Sequence, residues 1–274
     1  MTPFKAALQL YRAWAAAKAS EDIFPIDCKA IAEGLSIRVE GGDLDGEFEG
    51  GLFIEEGLTA IIYNENIEED GRKNFTIAHE LGHFSLHKNR RELRCTFDDL
   101  NNFGGKTHPH GIEQEANSFA ANLLMPADDF RPKIRSCNLS LAVIGQLAYE
   151  RYATTLTAAA LRAQDLAGKP CAVIMLRDDK VKWWRRNDSM SDTGLWLHMG
   201  QHVKGVGNVG REGAVVDSRI WLPEHKCPGW EITQSDVAMK RYEQTLVFLT
   251  ARSKEGEKDW LDEVKDSVDL LPKW

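Results

Sequence analysis

The sequence predicts an α+β fold: a mostly helical first part that holds a small antiparallel sheet, followed by a smaller β-containing C-terminal part. Three observations lead there. Apolar residues recur at spacings of three to four along most of the first 167 residues, interrupted between Leu35 and Tyr63 by short β-prone runs. Gly168-Lys169-Pro170 is the clearest break in the chain. Beyond it the composition shifts, because seven of the eight tryptophans lie past residue 180, among short strand-like runs and glycine-rich turns. The expected domains are therefore 1–167 and 168–274.

The elements follow in order. Phe4, Leu8, Tyr11 and Ala15 share one helical face over residues 3 to 19, and Pro3 suits a first helical turn. A short helix is expected from Ile26 to Glu33, closed by Gly34. The runs Leu35 to Val39, Gly51 to Ile54 and Thr59 to Tyr63 read as a small antiparallel sheet. A helix from about Arg72 to His87 has Phe75, Ala78, Leu81, Gly82 and Leu86 to bury. Lys88 to Gly111 is polar, rich in Asn and Gly, and reads as a long loop. A strong helix runs from Glu113 to Leu124, stopped by Pro126, and a helical pair spans about Leu139 to Tyr152 and Thr155 to Leu166.

Bulk properties exclude some functions. A net charge of -8 and a pI near 5.6 do not suit a protein that coats nucleic acid through a general basic surface. Five cysteines (Cys28, Cys95, Cys137, Cys171, Cys227) at irregular spacings contain no CxxC pair and read as reduced thiols. No apolar run approaches the roughly 18 to 20 residues that span a bilayer. The N-terminal helix pattern carries Lys5, Gln9, Arg12 and Lys18, unlike the apolar stretch of a signal peptide. A cytoplasmic protein without membrane contact is expected.

Chemistry concentrates in His79-Glu80-Leu81-Gly82-His83. Histidines at i and i+4 sit one helical turn apart, so both imidazoles can reach one metal ion, with Glu80 beside them as general base. A zinc ion with an open position for water would need such a carboxylate. The pattern would arise by chance in roughly one shuffled sequence in fifty, so it needs a third ligand to carry weight. Leu86 and Asn89 stand where a metzincin requires Gly and His, which excludes that class. His87 is expected to face solvent or cap the helix. Glu113 is the favoured third ligand, because it shares a helix face with Asn117, an amide suited to hold a ligating imidazole. Glu115 is its competitor, on another side of that helix.

Phe75-Thr-Ile-Ala-His79-Glu-Leu-Gly-His83-Phe together with Glu113-x-x-Ala-Asn117-x-Phe-Ala-Ala-x-Leu-Leu-Met-Pro126 resembles the ImmA/IrrE family of metallopeptidases over roughly residues 5 to 165. The resemblance implies a gluzincin-like fold, Zn²⁺ held by His79, His83 and Glu113, and Glu80 as general base. It further implies cleavage of a protein partner, typically a helix-turn-helix repressor of a mobile element or stress response. It assigns nothing to the C-terminal part, for which recognition or sensing is the expectation.

Two rival functions are a DNA-binding regulator with a structural zinc site and a non-catalytic partner in a toxin-antitoxin pair. The first rests on residues Leu139 to Ala163, which resemble a helix-turn-helix with Arg131, Lys133, Arg135, Arg151 and Arg162 nearby. The expected reading is that these helices complete the first domain. Gly205-Val-Gly-Asn-Val-Gly210 has dinucleotide-fingerprint spacing, but a strand-like run follows it, so a turn is expected. His198 and His202 lack an adjacent acid and are read as structural. Trp183-Trp-Arg-Arg186 is read as strand alternation, Cys95 as a free thiol with no metal role in preference to an inhibitory thiolate approaching the zinc, and Tyr149 and Tyr152 as unselected oxyanion donors.

Overall fold

The structure, a computed structural model, describes residues 1–18, 23–44, 48–87, 92–100, 111–135 and 138–254. Helix α1 (Pro3–Ala17) opens with Thr2 accepting from the Lys5 N–H and Pro3 in the first turn, where its missing N–H costs nothing. Helix α2 (Cys28–Gly34) is capped by the Asp27 carboxylate on the Ala30 N–H. Strands β1 (Arg38–Gly42), β2 (Phe48–Glu55) and β3 (Leu58–Asn64) then build the first sheet. β2 and β3 form a hairpin, with Glu55 opposite Leu58 and Gly57 at φ +78° in the turn, a conformation glycine adopts without strain.

After β3 comes α3 (Asp70–Leu86), then β4 (Glu92–Thr96) and a single turn, α4 (Phe97–Leu100). The sheet order is β1-β3-β2-β4. The expected antiparallel pairing holds for β2 with β3 and with β4, and β1 adds a parallel pair with β3. The two-residue hairpin commits one edge of β3 to β2, leaving only its other edge for β1. β4 corrects the expectation of an unstructured stretch from Lys88 to Gly111. Leu93 and Cys95 are buried and alternate with exposed Arg94, a period-two pattern too short to stand out in a polar segment. Most of the remainder of that stretch lies outside the described residues.

Helices α5 (Ile112–Leu124), α6 (Ala127–Arg135), α7 (Leu141–Gln146) and α8 (Leu156–Leu166) follow, with a π-helical turn over Leu147–Arg151 between the last two. α3 crosses the middle of this half, buried from Phe75 to His83, between the sheet and α5. A buried ion pair, Arg72 Nε donating to Glu49 Oε2 at 2.6 Å, fixes the start of α3 to β2.

The later part is a five-stranded antiparallel sheet of β5 (Cys171–Arg177), β6 (Lys180–Arg186), β7 (Ala214–Val216), β8 (Trp230–Met239) and β9 (Gln244–Ser253), with a turn of helix α9 (Asp188–Ser191) after β6. Its order is β6-β5-β9-β8-β7. One face of β5 and β9, through Val173, Met175, Leu246 and Phe248, joins the core of the helical half. The alternate residues Ala172, Ile174, Val247 and Leu249 face a second core with Leu195, Trp221 and Leu222. β6 alternates as expected: Trp183 packs on the first core, while Trp184 packs on the second and donates to the Leu197 carbonyl at 3.0 Å.

The glycine run at 205–210 is a turn. The N–H groups of Gly207 and Gly210 donate to the carboxylate of Asp236 at 3.1 and 3.0 Å, so the backbone nest binds the protein's own acid.

Candidate metal centre

Helix α3 brings His79 and His83 together because a helical turn stacks i and i+4, and their ring centroids lie 4.6 Å apart. Helix α5 supplies the rest. Gly82 lets the two helices approach closely, since a Cβ there would meet Ala116 Cα and Phe119 Cδ1 at 3.1 Å. This approach sets Glu113 Oε2 at 3.1 Å from His79 Nε2 and 3.2 Å from His83 Nε2. Cys95 Sγ, from β4, lies 3.7 Å from His83 Nε2 and 3.8 Å from Glu113 Oε2. Ligand atoms of His79, His83, Cys95 and Glu113 all lie within 4.8 Å of one another, and among the described residues no other group of three or more such side chains converges in this way.

For neutral imidazoles, outer contacts assign which ring nitrogen carries the proton. Asn117 donates through Nδ2 to the Asp99 carbonyl at 2.9 Å, so its Oδ1 is the atom 2.9 Å from His79 Nδ1 and must accept. His79 therefore carries its proton on Nδ1. His83 Nδ1 is 2.9 Å from His87 Nδ1, and His87 Nε2 is 3.0 Å from Glu115 Oε2. If His83 donates, His87 keeps its proton on Nε2 and donates to Glu115. The reverse would point a His87 lone pair at a carboxylate.

Both Nε2 atoms are thus acceptors, 3.0 Å apart, and Glu113 Oε2 is a third acceptor facing them. Three such acceptors around one point repel, and a metal ion among them, or a proton taken up by His79, relieves the repulsion. Tetrahedral zinc, with bonds of about 2.0–2.1 Å to N and O, separates neighbouring donors by about 3.3–3.4 Å, and a bond of about 2.3 Å to sulfur lengthens the edge to about 3.6 Å. Observed separations of 3.0–3.2 Å among N and O and 3.7–3.8 Å to sulfur follow the same order. The residues present fit a zinc ion.

Glu80 is fully buried, and neither carboxylate oxygen has a hydrogen-bond partner among the described residues. Such a group in a low-dielectric site is costly unless it has work to do. Burial pushes its carboxyl up to about 7. Gly50 on β2 lets α3 approach the sheet beside it, since a Cβ there would lie 2.5 Å from Thr76 Cγ2. Burial also lowers His83 to about 4. At His79 burial acts downward, but the carboxylates of Glu113 and Glu80 outweigh it and raise the pKa. At Glu113 burial acts upward, and the His79 and His83 imidazoles facing its carboxylate overcome it, holding the carboxyl well below the usual range. The Cys95 thiol is driven up by burial and by Glu80 and Glu113.

His79, Glu80, His83 and Glu113 are therefore brought together, with Asn117 behind His79. Glu115 stays outside, half exposed, on His87. His87 does cap the helix, but its ring turns inward with 9% of the side chain exposed, a correction to the solvent-facing alternative. The helix continues far enough for His83 and His87 to stack one turn apart, and Glu115 draws the ring over. Tyr152 donates to Asp129 Oδ2 at 2.6 Å and is committed there, while Tyr149 is 53% exposed.

The helical pair does not offer a reading face. Thr157, Arg162 and Gln164 of α8 are buried, and Arg162 Nε donates to the Met125 carbonyl at 2.9 Å. Asp129 engages Arg151 and Lys133.

Comparison with known proteins agrees with this geometry. The sequence model of Peptidase_M78, described as an IrrE N-terminal-like domain, matches residues 33–162, which include every residue of the cluster. No curated protein matches the chain. Among solved structures, a Mycobacterium tuberculosis transcriptional regulator shares the fold with a TM-score of 0.53 at 12% identity, over 92% of this chain and 88% of that one. Residues 33–162, a little under half of the chain, are thus similar to the IrrE N-terminal-like domain of Peptidase_M78.

Proposed function

We propose that the chain is a zinc-dependent endopeptidase, with His79, His83 and Glu113 as metal ligands and Glu80 as the general base. One observation carries this reading: a buried carboxylate with no hydrogen-bond partner among the described residues stands beside three converging side chains of metal-ligand type. A purely structural zinc site has no use for an acid held free in this way.

Zinc bound there supplies Lewis acidity, polarising a peptide carbonyl and sharpening water as a nucleophile. Glu80 takes the proton from the attacking water and returns it to the departing amine. Its raised pKa, about 7, suits both halves of that exchange. Asn117 and the His87–Glu115 pair hold the two imidazoles with their Nε2 lone pairs inward. β4 is the outermost strand of its sheet among the described residues, so an extended substrate segment can add to its free edge next to the cluster.

The substrate we propose is a helix-turn-helix repressor whose loss switches on stress or mobile-element genes, with the chain acting in the cytoplasm. A narrow target range suits a protease that shares a compartment with its host's proteins. No described helix is long and apolar enough to cross a membrane. Residues 168–274 serve recognition or sensing in this reading. The burial of Thr157, Arg162 and Gln164 counts against the DNA-binding alternative. The test is to add the protein to a native lysate and map new protein N-termini by mass spectrometry. Termini in repressor-like proteins that a chelator abolishes support the proposal, whereas an unchanged map would refute it.

A further inference from the structure

Cys95 is the member of the cluster that neither the helical motif nor a three-ligand peptidase site requires. Its position is built by strand pairing. Cys95 stands directly opposite Gly50 on β2, just past the irregularity in register between Phe48 and Gly50. Residues opposite one another on neighbouring strands project to the same face. The Gly50 face looks onto Thr76 and Glu80 of α3, where a Cβ would lie 2.5 Å from Thr76 Cγ2 and 3.7 Å from Glu80 Oε1. The Cys95 side chain, which unlike Gly50 has atoms to place there, is therefore delivered to the metal site. It is 1% exposed and forms no disulfide.

Two further features point to a metal–sulfur contact. The sulfur separations, 3.7 and 3.8 Å, lie close to the edge of about 3.6 Å that a zinc–sulfur bond requires and are longer than the nitrogen and oxygen separations, as that bond demands. Glu80, also fully buried, has no partner within ordinary hydrogen-bond range among the described residues but interacts with the Cys95 thiol, which places the sulfur beside the proposed general base. Two His, one Glu and one Cys make four protein ligands, the number of a closed tetrahedral site, while a catalytic site keeps one position open.

We propose that Cys95 is a fourth ligand of the zinc and that its thiolate fills the position catalysis needs, so that the chain folds as a latent peptidase. This rests on the zinc-peptidase reading above. Turnover then requires the Cys95 sulfur to leave the metal, and a substrate segment added along β4 would act on the very strand that carries it. The switch is local, because only one short edge strand must shift while α3 and α5 keep the other three ligands.

The experiment replaces zinc by cobalt(II) in the full chain and records the absorption spectrum. Wild type should bind about one cobalt and show the near-ultraviolet thiolate-to-cobalt charge-transfer band. Cys95→Ser should keep the cobalt, lose that band entirely and cleave faster in the lysate assay. A second measurement needs no variant: X-ray absorption at the zinc edge of wild type should contain one sulfur neighbour at about 2.3 Å. One bound metal with no sulfur neighbour and no charge-transfer band would overturn the proposal while leaving the peptidase reading intact. A wild-type chain that binds neither cobalt nor zinc would overturn both.

Discussion

Replacing Gly82 by Ala separates the packing that builds the metal centre from helix stability in general. Ala is favoured over Gly inside a helix by about 1 kcal/mol, so on propensity alone Gly82→Ala should stabilise α3. The structure opposes this, because the new Cβ would lie 3.1 Å from Ala116 Cα and Phe119 Cδ1 and 3.2 Å from the Ala116 carbonyl oxygen. Comfortable carbon contacts begin near 3.5 Å, so α3 and α5 must part by about 0.4 Å. Two of the obstructing atoms are backbone and cannot rotate away. Overpacking of this kind costs about 1–3 kcal/mol and outweighs the propensity gain. The expected net loss, about 1 kcal/mol, lowers Tm by on the order of 2–4 °C. The same displacement moves Glu113 relative to His79 and His83 by more than the roughly 0.2 Å that a metal site tolerates, so zinc affinity must fall as well. Gly145 in α7 is the control. A Cβ there would meet Leu156 Cδ1 and Tyr149 Cε2 at 3.6 Å, ordinary contact, so Gly145→Ala should raise Tm and leave zinc untouched. Calorimetry with a chromophoric chelator in competition reads both quantities. A Gly82→Ala protein with raised Tm and wild-type zinc affinity would refute the close-approach account of the site.

Three other expectations use the same assays. Glu113→Ala should strip most of the zinc, while Glu115→Ala, which reaches the site only at one remove through His87, should change affinity by no more than a few-fold; the reverse order would mean that the wrong face of α5 meets the metal. Asn117→Ala frees His79 Nδ1 and should weaken zinc about 10- to 100-fold, detectable by chelator competition and absent if the amide merely fills space. A protease site engineered after Gly168 should be cut, yet the two pieces should co-elute in gel filtration, because Val173, Met175, Leu246 and Phe248 pack into the core of the helical half; pieces that separate without denaturant would show that this contact contributes little.

The readable part of the site is the part that local periodicity encodes. His79 and His83 are one turn apart on a helix whose apolar spacing is plain, and Glu113 and Asn117 repeat the device on α5, so three proposed ligands and their supporting amide stand out in the sequence. Cys95 is legible only as the less favoured of two readings, because its place depends on pairing with Gly50, forty-five residues earlier, and on a five-residue strand with two apolar side chains. His87 shows the same limit: its spacing allowed either a solvent-facing or a capping role, and the contact with Glu115 from another helix decides it. The helical pair at 139–166 was legible as helices, but only packing reveals that Arg162 and Gln164 point inward. The join between the two halves followed the same rule. The Gly168-Lys169-Pro170 break is real as a break in secondary structure, but the alternation in β5 and β9 that feeds two cores at once emerges only from the strand register.

The account stands on Glu80 acting as a base beside a metal held by other residues, and Glu80→Gln isolates that role. The substitution keeps size and hydrogen-bonding capacity but removes the basic carboxylate, so the protein should still carry about one zinc per chain by elemental analysis. A general base contributes about 10²- to 10⁴-fold to rate, so the chelator-sensitive termini produced by wild type in the lysate should disappear. A Glu80→Gln protein that retains its zinc and generates the same termini at the wild-type rate would contradict the peptidase mechanism.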